Sequence, residues 1–166
     1  VVGGLYAAGL SGDEIERVYA ESRSHIATGN EDLFAGFVDF RGGAMGLLDI
    51  NWLTPMKERS LSVLCERGMF LVDYAAQSLA FYENYAAAAR EGSYASVTEG
   101  PMTRYPIANR EPLRVELEAF RDAVANGGPA PVSAHDGMAA LAVAEALVRS
   151  GETGMPVRVE EVAATP

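Results

Sequence analysis

The positively charged turn after a strand-like run is the best candidate for chemistry in this sequence. Lys57 is the only lysine among 13 basic residues, and it stands between Thr54 and Arg59. A lysine and an arginine beside a strand end can bind a phosphate or carboxylate through charge-assisted hydrogen bonds. Lys57 is a poor general base, because nothing suggests the desolvation that would lower its pKa. A solvated turn in which Arg59 pairs across strands fits the pattern equally well, so both interpretations stay open.

The two histidines and the single cysteine carry weaker signals. His25 ends a predicted strand and could face a cleft, so it stays a candidate substrate-binding residue beside the plainer interpretation of a surface side chain. His135 falls in the first turn of a predicted helix, where we expect it on the surface. Cys65 alternates with Leu61 and Val63, which predicts buried packing rather than a reactive thiol. No cysteine or carboxylate pattern surrounds either histidine, so we expect no metal site.

Motifs of several enzyme classes are missing from the sequence. No Gly-x-Gly-x-x-Gly opens a helix after a strand, and no Walker-type phosphate loop is present. No Gly-x-Ser-x-Gly elbow of a serine hydrolase occurs either. The residues therefore predict neither a cofactor-binding motif nor a catalytic residue in this chain.

The composition of the chain indicates which classes of binding partner and which cellular compartment to expect. The 166 residues are enough for one domain, and a net charge of −10 argues against nucleic acid or an anionic membrane as partner. No apolar run approaches the roughly 18 residues needed to span a bilayer. One cysteine cannot form an internal disulfide, so a reducing compartment is the default. We expect the protein in the cytoplasm.

The first half of the sequence has the pattern of successive strands. The predicted strands are Ile15–Arg23, Leu33–Phe40, Ala44–Leu53, Arg59–Glu66, Met69–Tyr74 and Ser78–Asn84. Their short connections, one of them the Gly-Gly turn at 42–43, imply an antiparallel sheet.

The second half is predicted to be mostly helical. Residues 86–110 form a long excursion with one strand around Tyr94–Thr98. A helix begins near Glu111, with Leu113, Leu117, Phe120 and Val124 on one face. A second helix begins at the serine cap of Ser133 and continues through an alanine-rich stretch, and a short strand, Pro156–Val159, ends the domain. The fold class is α+β: an open, predominantly antiparallel sheet of about six or more strands with helices packed on one face.

The uncovered face of such a sheet is expected to meet another subunit. Alternation places Leu48, Ile50 and Trp52 on one side of the third strand and Leu47, Asp49, Asn51 and Leu53 on the other. The second set is too apolar for free solvent and too polar for a core, which is typical of a subunit contact. A partly solvated sheet face in a monomer is the alternative.

Several short pieces, in this order, carry a resemblance to a known superfamily. They include Trp52-Leu-Thr-Pro-x-Lys-x-Arg59, Glu66-Arg-Gly-Met-Phe70, Phe81-Tyr-Glu-Asn84, Glu111-Pro-Leu-x-x-Glu-Leu-x-x-Phe120 and Val132-Ser-Ala-His-Asp-Gly137. From about Arg17 to Val159 the chain resembles the C-terminal domain of the Gfo/Idh/MocA oxidoreductases, which include glucose–fructose oxidoreductase and inositol dehydrogenase. The sequences of two of these segments, Asn51-Trp-Leu-Thr-Pro55 and Phe81-Tyr-Glu-Asn84, are most similar to those of enzymes acting on nucleotide sugars, especially UDP-N-acetylglucosamine 3-dehydrogenases.

The resemblance implies a subunit of two domains. An N-terminal Rossmann domain binds NAD or NADP, while a C-terminal domain, with a sheet like that of glyceraldehyde-3-phosphate dehydrogenase, shapes the sugar site and builds the homo-oligomer. The superfamily's catalytic lysine lies in Glu-Lys-Pro and its histidine in Asp-x-x-x-His. Neither motif occurs here, and Lys57 is followed by Glu58 rather than proline.

Residues 1–166 are therefore expected to be the C-terminal substrate-binding and oligomerisation domain, without the Rossmann domain. On this view the chain alone binds no cofactor and is inactive. The resemblance implies a sugar or nucleotide-sugar substrate, and the candidate residues to contact it are the ones chosen above for their chemistry and position: Thr54, Lys57, Arg59 and His25. The alternative is a stand-alone, non-catalytic binding or assembly module of the same fold, and an upstream reading frame with the missing motifs would separate the two.

Overall fold

The computed structural model describes residues 14–26, 31–86 and 97–160. Its strands are β1 (Ile15–Arg23), β2 (Leu33–Phe40), β3 (Met45–Asn51), β4 (Ser60–Cys65), β5 (Gly68–Asp73), β6 (Ser78–Ala86), β7 (Val97–Tyr105) and β8 (Val157–Arg158). Its helices are α1 (Pro112–Asn126) and α2 (Ala134–Thr153). Neither of these helices is long and apolar enough to cross a membrane.

The strands form two open antiparallel sheets of four, which confirms the predicted α+β class. The first sheet has the order β3-β2-β1-β8, and the second has the order β4-β5-β6-β7. They belong to two compact units, one comprising Val1–Pro55 with Glu116–Pro166 and the other Met56–Val115. Each unit is described by itself below.

The strand predictions are confirmed for β1 to β6, whose ends lie within two residues of the predicted ones. The predicted strand around Tyr94–Thr98 overlaps β7 at Val97 and Thr98, while Tyr94 to Ser96 lie outside the described residues. The prediction of an irregular excursion was wrong for 99–105, which continue β7. Pro101 argued against a strand there because it cannot donate to a ladder. The structure accommodates it at the edge of the second sheet, where the register shifts between Tyr82 and Asn84.

The core of the first unit lies between its sheet and α2. Val18 of β1 is paired with Val38 of β2 and Val157 of β8, and all three are buried. The other core residues are Ile15, Ala20, Phe40, Leu48, Ala142, Val143, Ala146, Leu147 and Val159. Small side chains on α2 let the helix approach the sheet closely, as the alanine-rich sequence predicts.

Both ends of α2 are capped, and the N-terminal cap is the predicted serine. The Ser133 hydroxyl accepts a hydrogen bond from the Asp136 amide, and the Asp136 carboxylate accepts one from the Ser133 amide. At the other end Gly154 adopts a left-handed φ of 67° and donates its N–H to the Ser150 carbonyl at 2.8 Å. Only glycine reaches this conformation without steric cost, so the helix ends there.

The opposite face of the first sheet is uncovered among the described residues. Tyr19, Phe37 and Leu47 form one cross-strand row, and Phe37 and Leu47 are 44% and 74% exposed. Polar groups border this row: the Tyr19 hydroxyl donates to Glu21 at 2.7 Å, and Arg23 pairs with the same carboxylate at 2.9 Å. The hydrogen bond from Tyr19 is the largest cause that lowers the pKa of Glu21, and the one from Arg23 lowers it further. The same Tyr19–Glu21 hydrogen bond raises the pKa of Tyr19.

Trp52 was predicted to share the inner side with Leu48 and Ile50, and that prediction was wrong. Leu48 is buried and Ile50 half-buried, but Trp52 is 85% exposed. Strand β3 ends at Asn51, so the alternation of sides no longer applies to the next residue.

Ser150 joins α2 to β1 from a fully buried position. Its hydroxyl oxygen accepts the amide of Ala20 at 2.9 Å and donates to the carbonyl of Met155 at 2.7 Å. Strand β8 pairs only with Arg17 and Val18, so the Ala20 amide needs another acceptor on this side of β1. The serine hydroxyl supplies it.

We expect Ser150→Ala to lower the free energy of unfolding by about 1–3 kcal/mol, because it leaves a buried backbone donor and acceptor unpaired. Urea denaturation followed by circular dichroism measures the change. Thr153→Ala is the matched control, since the exposed Thr153 hydroxyl also donates to a helix carbonyl, that of Arg149, but water can replace it. Equal effects of the two substitutions would contradict the role given to Ser150.

Candidate functional site

A buried aspartate ties together three strand ends at one edge of the first sheet. Asp32 is 3% exposed, and its Oδ2 accepts the amides of His25 at 2.7 Å and Ile26 at 2.5 Å. Its own amide donates to the Arg23 carbonyl, and its carbonyl accepts the Trp52 amide, both at 3.0 Å. One residue thus fixes the end of β1, the start of β2 and the chain leaving β3.

The turn after β3 is held by a single side-chain oxygen. Oδ1 of Asn51 accepts the amides of Leu53 and Thr54 at 3.1 and 3.0 Å, and also the Thr54 hydroxyl at 2.5 Å. Because the Thr54 hydroxyl donates its proton inward, its lone pairs are left to accept hydrogen bonds. The predicted site residue Thr54 is therefore exposed on a fixed turn, oriented as an acceptor.

His25 lies at the same edge, two residues beyond the last residue of β1. Its side chain is exposed, and its backbone is fixed through Asp32. Strands β1 and β3 both run antiparallel to β2, so their C-terminal ends share one edge of the sheet. The structure therefore places two of the four predicted site residues, His25 and Thr54, at the same edge.

Lys57 and Arg59 belong to the second unit, in the segment that leads into β4. Both side chains are exposed, and neither forms an ion pair with any residue in the described ranges. The Arg59 carbonyl accepts the Tyr74 amide at 2.9 Å, which fixes this segment against the end of β5. The suggested cross-strand pairing of the Arg59 side chain is absent from this part of the structure, so two cations stand free on an anchored turn.

One face of the second sheet carries a shallow groove that the sequence did not single out. The Phe70 and Phe81 rings, on adjacent strands, have centroids 4.5 Å apart at its centre. The other lining residues are Cys65, Glu66, Arg67, Glu83, Thr103 and Tyr105. The prediction that Cys65 is buried was wrong, because β4 is the edge strand of this sheet and the thiol is exposed.

Neither a metal site nor a dinucleotide-binding turn is found among the described residues. No three His, Cys, Asp or Glu side chains among them converge as metal ligands. Every strand pairing in the two sheets is antiparallel, and no glycine-rich turn joins a parallel strand to a helix in these ranges. This arrangement does not fit a nicotinamide dinucleotide, which binds at such a turn in doubly wound folds.

Asp32, Asn51 and Trp52 were not predicted as site residues. The Asn51-x-x-Thr54 spacing is a signal that could have shown the turn, since asparagine side chains often accept amides two and three residues on. The position of Asp32 just before an apolar strand gave no comparable signal, because its partners lie on two other strands.

Comparison with known proteins decides the family. Residues 10–159 match the family described as "Oxidoreductase family, C-terminal alpha/beta domain" of the Gfo/Idh/MocA group. The chain belongs to this family. A segment of 50 residues, 30% of the chain, is 52% identical to Inositol 2-dehydrogenase 1 of Saccharopolyspora erythraea and covers 15% of that protein.

Solved structures of several oxidoreductases and dehydrogenases share the fold at low sequence identity. The aldose-aldose oxidoreductase of Caulobacter crescentus, complexed with glycerol, aligns with a TM-score of 0.68 and 20% identity, and the match covers 93% of this chain and 43% of that one. The UDP-N-acetylglucosamine 3-dehydrogenase GnnA of Acidithiobacillus ferrooxidans aligns with a TM-score of 0.64 and 19% identity over 84% of this chain and 42% of that one. The WlbA dehydrogenase of Bordetella pertussis, complexed with NADH and UDP-GlcNAcA, aligns with a TM-score of 0.60 and 22% identity over 87% of this chain and 38% of that one. The chain thus spans less than half the length of each of these proteins.

Proposed function

We propose that this chain is the substrate-binding and oligomerisation domain of an NAD(P)-dependent sugar or nucleotide-sugar dehydrogenase. The observation that carries the proposal is the family match over residues 10–159. The local identity to an inositol dehydrogenase and the fold shared with enzymes of aldoses and UDP-sugars support a polyhydroxylated substrate. The exposed free thiol of Cys65 is compatible with a reducing compartment, for which we propose the cytoplasm.

The domain's own residues would hold the substrate in this proposal. Thr54 accepts hydrogen bonds from sugar hydroxyls, and His25 lies at the same sheet edge. Lys57 and Arg59 supply positive charge for a phosphate or carboxylate. NAD or NADP, bound by a preceding domain, would accept the hydride from the sugar carbon. Because the described residues do not fit the dinucleotide, the domain contributes binding and orientation.

We expect the full-length protein to reduce NAD or NADP with a free or nucleotide-linked sugar, and this chain alone to bind neither dinucleotide. Absorbance of the reduced cofactor across a panel of sugars tests the first part. Calorimetry of the chain with millimolar NAD and NADP tests the second. Saturable micromolar binding to the chain would contradict the proposed division between domains. A full-length protein with no turnover on any polyhydroxylated substrate would favour a non-catalytic module.

In the full-length enzyme, Lys57→Ala or Arg59→Ala should raise KM for an anionic sugar by about ten- to a hundred-fold, since a charge-assisted hydrogen bond contributes about 1.5–3 kcal/mol. Little change in kcat is expected if the contact is the same in the ground and transition states. Arg104→Ala, which removes an exposed cation from β7, is the control. Unchanged kinetics in both variants, with folding intact, would show that this turn is only a solvated connection.

We also propose that the domain pairs with a second copy through the uncovered face of the first sheet. The row of Tyr19, Phe37 and Leu47 supplies an apolar centre, and the bordering ionic groups supply a polar rim. A two-fold contact of identical faces is the commonest closed arrangement.

Leu47→Glu should weaken this self-association by about a hundred-fold or more, because it places a charge in the apolar centre of the contact. Sedimentation velocity over a concentration series measures it. Gly42→Glu adds the same charge in the exposed β2–β3 turn, where the structure leaves space for a side chain, and should have little effect. A wild-type protein that stays monomeric at high concentration would refute the contact.

A further inference from the structure

Helix α1 exposes a continuous apolar stripe. Leu113, Leu117, Phe120 and Val124 follow each other at helical spacing on one side, and they are 58%, 59%, 64% and 70% exposed. No residue of this helix is buried. The sequence correctly groups these four residues on one face, yet nothing among the described residues covers that face.

The opposite side of α1 is the less exposed one. Val115, Glu118, Ala119 and Ala123 are half-buried, although three of them are small or charged. On α1 the largest apolar side chains are therefore oriented to solvent, and the weaker apolar side is the less exposed one. This orientation is the reverse of what a surface helix adopts to build its own domain's core.

Such a helix requires a partner to be stable. An isolated helix of 15 residues is marginal in water, and most helical stability in proteins comes from packing an apolar face. Helix α2 also exposes large apolar side chains, since Met138 and Leu141 are 69% and 58% exposed. Exposed apolar surface of this kind marks an interaction site.

We propose that the α1 stripe, Leu113, Leu117, Phe120 and Val124, docks against the domain that precedes this one in the full-length protein. The inference rests on the proposed function, which requires such a domain. More than half of each solved relative lies outside the region matched by this chain, and the matched family is by its description a C-terminal domain.

A preceding domain suits the stripe better than a second copy does. The uncovered face of the first sheet offers a second copy an apolar centre with a polar rim, whereas the stripe is a narrow row of four side chains on one helix. A narrow contact gives little affinity between separate molecules. When both surfaces belong to one chain, their effective concentration is high enough for such a weak contact to form.

The test compares the full-length protein with its Leu117→Gln/Phe120→Gln variant. Glutamine has at least the helix propensity of the residues it replaces, so loss of the helix itself is not the cause of any effect. Glu116→Gln, at an exposed polar position of the same helix, is the matched control. Hydrogen exchange of the amides of residues 112–126 should become at least tenfold faster in the double variant and stay unchanged in the control. The sedimentation coefficient should show the same oligomer in all three proteins.

Two results would overturn the docking. Dissociation of the oligomer in the double variant would assign the stripe to a second copy, and unchanged exchange would show that the stripe has no partner. Binding of NAD or NADP by the wild-type full-length protein, measured by calorimetry, separates the two proposals. If the full-length protein binds the cofactor but amide exchange of residues 112–126 is the same in the double variant, only the docking proposal is wrong. If no domain precedes this one, the proposed function is wrong, and the docking proposal that depends on it is wrong as well.

Discussion

The contact between the end of α2 and the middle of β1 is the constraint on which the first unit depends. Ser150 fills the hydrogen-bonding gap that the short β8 leaves on β1, and it does so without any exposure to solvent. Beside it, a side chain at Gly151 would begin 2.7 Å from the Ser22 hydroxyl, so the helix can lie this close only because that position has none. Fixing β1 in this way also fixes its end, where Asp32 holds the neighbouring strand ends and the turn that carries Thr54.

The close approach of helix and sheet has a consequence for where the large side chains lie. Three alanines, Ala20, Ala142 and Ala146, lie in the buried core, and Phe40 is its one aromatic residue in the described part of the chain. Phe37, Leu47, Leu117 and Phe120 are all more than a third exposed. A soluble domain rarely keeps so many large apolar groups in water. The distribution supports contacts on both sides of the first unit, one at the sheet face and one at the helices.

Much of the fold could be predicted from the sequence because adjacent strands pair through local turns. The alternating runs identified six strands, the apolar spacing identified α1, and the serine cap identified the start of α2. Alternation gives the side of a residue but not whether that side is covered, which is why Cys65 was expected to be buried. The part played by Asp32 could not be predicted, since it depends on backbone groups of two other strands. The length of β7 beyond Thr98 was not predicted, because a sequence pattern shows neither the edge position nor the register shift that accommodates Pro101.

The arrangement of the candidate site limits what the domain can contribute to a reaction. At the edge of the first sheet, the polar groups that are held most rigidly, Asp32 and Asn51, use their oxygens to fix the backbone. What they leave exposed is an acceptor hydroxyl on Thr54 and the ring of His25. These groups suit recognition of hydroxyls. A group that transfers protons needs both a defined position and a tuned pKa, and the described residues supply position without a converging acid and base. The geometry therefore favours a domain that binds and orients its ligand.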